Sequence, residues 1–446
     1  MPVVCLGLSH RTAPVDVRER HAFPAARMGE ALVALRDYSS VREAAMLQTC
    51  GRIEIYAEVD DYELGVEQLK TFLGNFRHAS VDYDLNSYLY THLGKQAVDH
   101  LFHVSTGLDS MLIGEAEILG QVKDAYHQAH QARSLGASLH RLFREALNAG
   151  KSARAQTRIG DESTSIATAA IDAAKQRLGT LADTTVVVIG AGKMGRSAVR
   201  RLRQEGVAHL IVINRTSPRA QELVDEAGFG RAAGMPALAH ALAEADVAIA
   251  STGASDFILT PTNVAAAMQA RPHRPLFVVD IAVPRDADPE IASIDNVALV
   301  DVDGLRGIVD EKLEVRREAI PEVEEIIAEY VARYSQWYRS RLAVPVVASL
   351  TQKAEAIRAA EVERLLSRCP ELTERERLLV VGMSMTVVSK LLHSVVTKIR
   401  DKAVSNHDEA LSHARVLDEL FELNLAEAVS TLVPHGLGLD VDDRIG

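Results

Sequence analysis

Thr184-Thr-Val-Val-Val-Ile-Gly-Ala-Gly-Lys-Met-Gly195 decides the fold of the middle of this chain. Its first half is short, apolar and rich in β-branched residues, the pattern of a strand buried on both faces. Its second half is a Gly-x-Gly-x-x-Gly turn that opens a helix running from Lys193 to about Glu205. Gly190 permits the tight turn, Gly192 lets a pyrophosphate approach the backbone, and Gly195 lets helix and strand pack closely. The helix N-terminus then attracts the phosphates, so Gly190, Ala191, Gly192, Lys193, Met194 and Gly195 are the expected dinucleotide cradle.

Reading outward, HLIVIN (209–214), DVAIAS (246–251), LFVVDIA (276–282) and VALVDV (297–302) are further strands separated by helical stretches. Strands alternating with helices predict a Rossmann-type, doubly wound parallel sheet over 159–305. The end of its second strand selects the cofactor. An NAD-binding domain carries an acidic residue there for the ribose 2′-hydroxyl. This chain has Asn214-Arg215-Thr216 instead, where Arg215 can pair with a 2′-phosphate and the other two add neutral polar contacts. NADPH is the expected cofactor.

On the amino-terminal side, residues 1–158 mix a strand at VVCLGL, an alternating strand at Ile53, Ile55, Ala57 and Val59, and helical segments, which predicts an α+β domain. On the carboxyl-terminal side, residues 306–446 read as all helical. Ile320, Val323, Ile326, Ile327, Tyr330, Val331, Tyr334, Trp337 and Tyr338 recur at three and four residues and form a long apolar stripe. Such a stripe needs a covering surface. The expected cover is a second copy, making this a dimerisation domain; the alternative is a cap on the same chain. The whole is a multidomain α/β protein.

Composition limits the partners. The formal net charge is −12, so nucleic acid is not attracted by the overall field and needs a local basic patch. Arg141, Arg144, Lys151, Arg154 and Arg158 fall within roughly 140° of a helix between 141 and 158 and form one candidate stripe. Cys5, Cys50 and Cys369 are too scattered for a disulfide framework or a metal site, and they fit a reducing, cytoplasmic setting. No stretch reads as the roughly 20 apolar residues that span a bilayer. Cys50 lies beside Arg52, a cation able to favour the thiolate. The segment GLDSMLIGEAEILGQ (107–121) gathers Ser110, Glu115, Glu117 and Gln121 near a helix start, and His100 lies on the preceding helix.

SHRTAPV (9–15), TCGRIEIYA (49–57), GLDSMLIGEAEILGQ (107–121), TSIATAAI (164–171), VIGAGKMG (188–195), NRT (214–216) and DIAVPRD (280–286) occur in the order seen in glutamyl-tRNA reductases, and the chain resembles that family over nearly its whole length. The resemblance implies a catalytic domain, an NADPH domain and a dimerisation domain joined in a homodimer. It implies Cys50 as nucleophile and His100 as a histidine important for activity. Thr49, Gly51, Arg52, Ser110, Glu115, Ala116, Glu117 and Gln121 take the positions of the glutamyl site. Gly51, Ile53 and Glu117 depart from the family's usual Asn, Thr and Gln.

The implied reaction is reduction of glutamyl-tRNA to glutamate 1-semialdehyde through a Cys50 thioester, with hand-over to glutamate-1-semialdehyde aminomutase, on the route to tetrapyrroles and haem. Arg52 would hold the substrate's γ-carboxylate and Glu115 its α-ammonium. The nicotinamide would reach Cys50 by domain closure. Two rivals stand beside this reading: an NADP oxidoreductase like shikimate dehydrogenase, which leaves Cys50 and 107–121 unused, and a weakened scaffold that binds tRNA or a partner.

Overall fold

The computed structural model describes residues 2–76, 84–160, 165–254, 256–307, 314–405, 412 and 416–423. Residues 424–446 of the expected helical region, and Thr164 of the block at 164–171, lie outside the described residues.

The amino-terminal domain runs β1 (Val3–Ser9), α1 (Val15–His21), α2 (Met28–Ala34), β2 (Val41–Gln48), β3 (Arg52–Val59), α3 (Tyr62–Phe76), β4 (Tyr90–Leu93), α4 (Lys95–Thr106), α5 (Glu117–Gln131) and α6 (Ala137–Gln156). Its antiparallel sheet has the order β2-β3-β1-β4. The alternation in β3 correctly marks Ile53, Ile55 and Ala57 as inward. The opposite face is equally buried, with Arg52 2% and Glu54 and Tyr56 0% exposed. That face is polar because it carries a hydrogen-bonded cluster, described below. The turn between β2 and β3 is Thr49-Cys50-Gly51, so this hairpin presents the candidate nucleophile at its tip.

The middle domain runs α7 (Ile166–Leu178), β5 (Thr185–Ile189), α8 (Lys193–Gln204), β6 (His209–Asn214), α9 (Ser217–Ala227), β7 (Arg231–Gly234), α10 (Leu238–Glu244), β8 (Val247–Ala250), α11 (Pro261–Gln269), β9 (Leu276–Asp280) and β10 (Val297–Val300). All six strands are parallel, in the order β10-β9-β8-β5-β6-β7. This is the doubly wound sheet expected from the sequence, with one addition. β7 has the composition Arg-Ala-Ala-Gly, too weakly apolar to signal a strand, and forms because it pairs along the free edge of β6.

The helical region comprises α12 (Glu314–Glu318), α13 (Ile320–Arg368) and α14 (Glu374–Ser405). At 49 residues α13 is roughly 70 Å long. Its apolar stripe has a different cover from the one expected. Val323, Ile327, Tyr330, Val331, Tyr334 and Tyr338 are built into the core of the chain's own amino-terminal domain. The Tyr334 hydroxyl meets Ser138 Oγ at 3.1 Å, and the Tyr330 hydroxyl meets Ser152 Oγ at 2.9 Å. A three-four repeat states that a face is covered but not by what. The uncovered face is on α14, where Leu378, Leu379, Met383 and Leu391 are exposed. Among the described residues, 374–399 is long and apolar enough to cross a membrane, with mean hydropathy 1.7. That corrects the expectation that no stretch approaches this length.

The basic stripe on α6 is also only partly free. Arg141 pairs with Glu145 at 2.6 Å, and Arg154 turns inward; Arg144 and Lys151 remain exposed.

Because Tyr334 lies fully buried between α13 and α6, Tyr334→Ala should destabilise the chain by about 3–5 kcal/mol and Tyr334→Phe by about 1 kcal/mol. Urea unfolding followed by the fluorescence of Trp337, the single tryptophan, measures both. An alanine variant as stable as the wild type would mean that the stripe is covered otherwise.

Candidate active site

The hairpin tip is held by its own backbone. Thr49 Oγ1 accepts from the amides of Gly51 (3.0 Å) and Arg52 (3.2 Å), and the Thr49 amide donates to the Arg52 carbonyl at 2.9 Å. The His10 amide donates to the Gly51 carbonyl at 2.8 Å. Thr49 therefore shapes the turn that carries Cys50. A Cβ at Gly51 would lie 3.7 Å from His10 Nδ1, ordinary contact, so the departure to glycine is not forced by space.

Arg52 points away from the thiol into the polar face of β3. Its Nη1 donates to Glu54 Oε1 at 2.7 Å and pairs with Asp109 Oδ2 at 2.9 Å, and its Nη2 donates to the Asp109 carbonyl. Arg52 is thus already matched by two carboxylates. Glu54 is the hub: Oε1 also takes the Tyr90 hydroxyl at 2.5 Å and His100 Nε2 at 2.8 Å, while Oε2 takes the Tyr56 hydroxyl at 2.8 Å. Burial opposes its ionisation, but Arg52 and His100 more than offset this and hold the carboxyl well below the usual range. With Glu54 ionised, His100 Nε2 is the donor. His100 therefore reaches the nucleophile's turn through Glu54 and Arg52, one layer behind it. Cys5, Glu54 and His100 also lie within 4.8 Å of one another, as metal ligands would. Glu54 there is surrounded by four donors, a full set for a carboxylate beside a guanidinium.

The segment between α4 and α5 is a buried irregular loop whose carbonyls go to arginines from three elements. Arg52 takes the Asp109 carbonyl, Arg154 of α6 takes those of Gly114 (3.2 Å) and Glu115 (2.5 Å), and Arg316 of α12 takes that of Ile113 (2.9 Å). Gly114 adopts φ +75°, and a Cβ there would sit 2.3 Å from the Ile159 carbonyl oxygen, so only glycine fits. Sequence reasoning missed Arg154 and Arg316 as site-builders; Arg154 read as part of a surface stripe.

Two buried polar atoms of this loop, Ser110 Oγ and Glu115 Oε1, have no hydrogen-bond partner among the described residues. Burial and the neighbouring Glu117 push the Glu115 carboxyl up to about 8, against Arg52 and Arg154. Burial also raises Glu117, which Lys193 opposes. Glu115 therefore holds its proton to a higher pH than an ordinary carboxyl. Ala116 is exposed and Gln121 half-buried at the start of α5.

Cys50 stands at a domain junction. Val15 and Leu112 are built into the core cluster of the middle domain, with Ile166, Val188 and Ala191, and Cys50 and Met111 pack against that cluster. The two domains are in contact at the candidate nucleophile. Burial pushes the thiol far up, Glu115 and Glu117 add to this, and Arg18 opposes it. The cation beside Cys50 is Arg18, which the sequence reading did not single out, and not Arg52.

The nucleotide turn has the expected geometry. Gly190 adopts φ +110°, a Cβ at Gly195 would lie 2.0 Å from the Gly190 carbonyl oxygen, and a Cβ at Gly192 would meet nothing within 4 Å. Gly192 is the N-cap of α8 and offers no side chain to the first amides of that helix. Asn214 has a different part from a simple polar contact: its Oδ1 accepts from the Ala191 amide at 3.4 Å and its Nδ2 donates to the Thr216 carbonyl at 3.0 Å, tying the turn to the end of β6. Arg215 and Thr216 are exposed there, and Lys193 pairs with Asp124 of α5 at 2.6 Å. Asp280 and Asp286 set the loops at the carboxyl ends of β8 and β9. Asp286 accepts from the Thr252 amide at 2.6 Å, and Asp280 from the amides of Ala282 (3.0 Å) and Ala287 (2.8 Å).

An open cradle at the carboxyl end of a parallel sheet, facing a cysteine on a second domain, defines a nucleotide-dependent oxidoreductase. The family profile "Glutamyl-tRNAGlu reductase, N-terminal domain" matches residues 6–157, "Shikimate / quinate 5-dehydrogenase" matches 172–308, and "Glutamyl-tRNAGlu reductase, dimerisation domain" matches 322–423. Glutamyl-tRNA reductase of Moorella thermoacetica is 40% identical over 426 residues, 95% of this chain and 96% of that protein. That of Bacillus subtilis is 37% identical over 409 residues, 92% of this chain and 90% of that protein. A solved glutamyl-tRNA reductase from Methanopyrus kandleri is 32% identical, with 95% of this chain and 99% of that one covered and a TM-score of 0.49. The chain belongs to the glutamyl-tRNA reductase family. The dimerisation profile spans nearly all of α13 and the whole of α14, including the exposed apolar face of α14.

Glu115 yields a prediction with a definite sign. Its folded-state pKa of about 8 exceeds the ordinary 4.5, so between these values the folded chain holds the proton more tightly than the unfolded chain. The group's contribution to stability therefore falls as pH rises through this window and is flat beyond it. Glu115→Gln should match the wild type near the lower limit and exceed it in urea midpoint above the upper one. Parallel pH profiles would place the Glu115 carboxyl in water.

Proposed function

We propose that this chain reduces glutamyl-tRNA(Glu) to glutamate 1-semialdehyde with NADPH, through a thioester on Cys50, at the entry to tetrapyrrole synthesis. The observation that carries the reading is the pair of unsatisfied buried atoms, Ser110 Oγ and Glu115 Oε1, on the arginine-held loop beside Cys50. They ask for a polar ligand of aminoacyl size, and the family supplies its identity. On this reading residues 1–158 form the catalytic domain, 159–305 the NADPH domain and 306–446 the dimerisation domain.

Cys50 Sγ attacks the ester carbonyl, the C–O bond to the tRNA ribose breaks, and the tRNA leaves with its hydroxyl restored. Glu115 loses its proton to solvent as the substrate ammonium binds and becomes its countercharge. Ser110 donates or accepts at the same ligand. Arg52, which exchanges part of its hold on Asp109 and Glu54, binds the γ-carboxylate, and His100 keeps Glu54, and through it Arg52, in place. Gly51, Ala116, Glu117 and Gln121 complete the wall, with the turn held by Thr49. NADPH supplies the hydride that converts the thioester carbonyl to the aldehyde. Cys50 leaves as the thiolate when the C–S bond breaks. The cradle fits that cofactor: a Cβ at Gly192 would meet nothing within 4 Å, the amino-terminal amides of α8 would take the pyrophosphate, and exposed Arg215 would pair with the 2′-phosphate. Three free cysteines suit the reducing cytoplasm, and the reactive aldehyde is handed to glutamate-1-semialdehyde aminomutase. Exposed Arg144 and Lys151 on α6 remain as tRNA phosphate contacts.

Two measurements test this. Without NADPH, the wild type should retain glutamate as a hydroxylamine-labile adduct on Cys50, and Cys50→Ser should not. Label on Cys5 or Cys369, or label that persists in the variant, overturns the reading. Arg215→Ala should weaken NADPH binding about tenfold, for a charge-assisted contact of roughly 1.5–3 kcal/mol, and leave NADH binding nearly unchanged. Equal loss for both would make Arg215 structural.

A further inference from the structure

α1 is only seven residues long, yet it carries two ion pairs to the middle domain. Arg18 is 1% exposed and fixed from three sides. Its Nε donates to the Ala13 carbonyl at 3.2 Å, its Nη1 to the Cys50 carbonyl and its Nη2 to Asp303 Oδ1. Asp303 follows β10 in the middle domain, and its other oxygen accepts from the Val15 amide at 3.0 Å. The next residue, Glu19, takes Arg285 through Nε at 3.0 Å and Nη2 at 2.7 Å. One guanidinium thus joins the nucleophile's own peptide to an acid on the other domain, while its neighbour forms a second, chemically similar link that does not touch Cys50.

We propose that Arg18 and Asp303 are positioning residues that couple the seating of the middle domain to the reactivity of Cys50. While the domain is seated, Asp303 neutralises Arg18, and the cation serves the backbone carbonyl of Cys50. When the domain lifts, Asp303 leaves with it, and the Arg18 charge acts on the sulfur alone, favouring the thiolate that attacks the ester. Reseating restores the pair and leaves the acylated cysteine facing the nucleotide turn. Attack and hydride delivery are thereby separated in time by one ion pair. The groups that face Cys50 are Arg18 from α1, His10 beside Gly51 after β1, and Glu115 and Glu117 ahead of and on α5. Of these, Arg18 is paired with an acid of the middle domain and Glu117 lies in the field of Lys193 of that domain, so the Asp303 variants are chosen to change the first alone.

The proposal rests on Cys50 as nucleophile. Thioester trapping tests that, whereas the experiment here reads only the thiol, so either can fail alone. Cys50 alkylation by iodoacetamide is followed against pH in the full-length protein, with the modified cysteine assigned by mass spectrometry. Asp303→Asn should shift the midpoint of alkylation down by about one pH unit, with a rate about tenfold higher at neutral pH. Asp303→Glu, which keeps the charge, should return to the wild-type profile. Glu19→Gln, which loosens the same interface without touching Arg18, should leave the midpoint in place. Asp303→Asn combined with Arg18→Gln should lose the downward shift. An unmoved midpoint in Asp303→Asn overturns the proposal. So does an equal shift in Glu19→Gln or in the double variant, because either makes simple loosening the cause.

Discussion

The site depends on one constraint: the carbonyls of Asp109, Ile113, Gly114 and Glu115 lie in an irregular loop and must find donors inside the protein. Neither a sheet nor a helix supplies them. Arg52, Arg154 and Arg316 do, from a strand, a helix of the same domain and the first helix of the carboxyl-terminal region. Remove one and a carbonyl is stranded, at a cost of about 1–3 kcal/mol in a loop with no regular hydrogen bonding. The same arginines bring positive charge near Glu115 and Asp109, so the donors that fold the loop also set its electrostatics. Gly114 at φ +75° lets the chain pass under Ile159 at the point where Arg154 reaches it.

A second consequence is the direction in which each polar face is turned. β3 shows a strand whose apolar residues are legible by alternation while its polar residues are as deeply buried. Arg52, Glu54, Tyr56, Tyr90 and His100 satisfy one another, which is what permits that burial. The cluster ties the base of the hairpin, whose tip carries Cys50, to β4 and α4. A buried, mutually satisfied network of this kind positions a neighbour more readily than it performs proton transfer at a distance.

The parts legible in the sequence are those governed by local rules. The Gly190–Gly195 turn followed from strand, turn and helix in sequence, and its steric reasons are met: a Cβ at Gly195 would sit 2.0 Å from the Gly190 carbonyl oxygen. The six-stranded sheet followed from alternation of β-branched runs and helices, except for β7, whose Arg-Ala-Ala-Gly gains its shape from an open edge. The parts not legible depend on contacts between residues far apart. Arg18 meets Asp303 across 285 residues, and no local pattern announces it. Arg154 reads as one more base on a helix until the loop it serves is folded beneath it. The α13 stripe shows the same limit, since Tyr334 and Tyr330 meet α6 of their own chain while α14 keeps an exposed apolar face.

Each chain packs Cys50 against its own nucleotide domain, and on the proposed function one subunit then carries both halves of the reaction. Heterodimers decide this most directly. One pairs a wild-type chain with a chain carrying both Cys50→Ser and Gly195→Val; the other pairs a Cys50→Ser chain with a Gly195→Val chain. With Cys50 packed on the core that includes Ala191 of its own turn, the first heterodimer should keep about half of the wild-type reductase activity and the second almost none. Substantial activity in the second would mean that the cysteine of one chain is served by the nucleotide domain of the other, and would contradict the account.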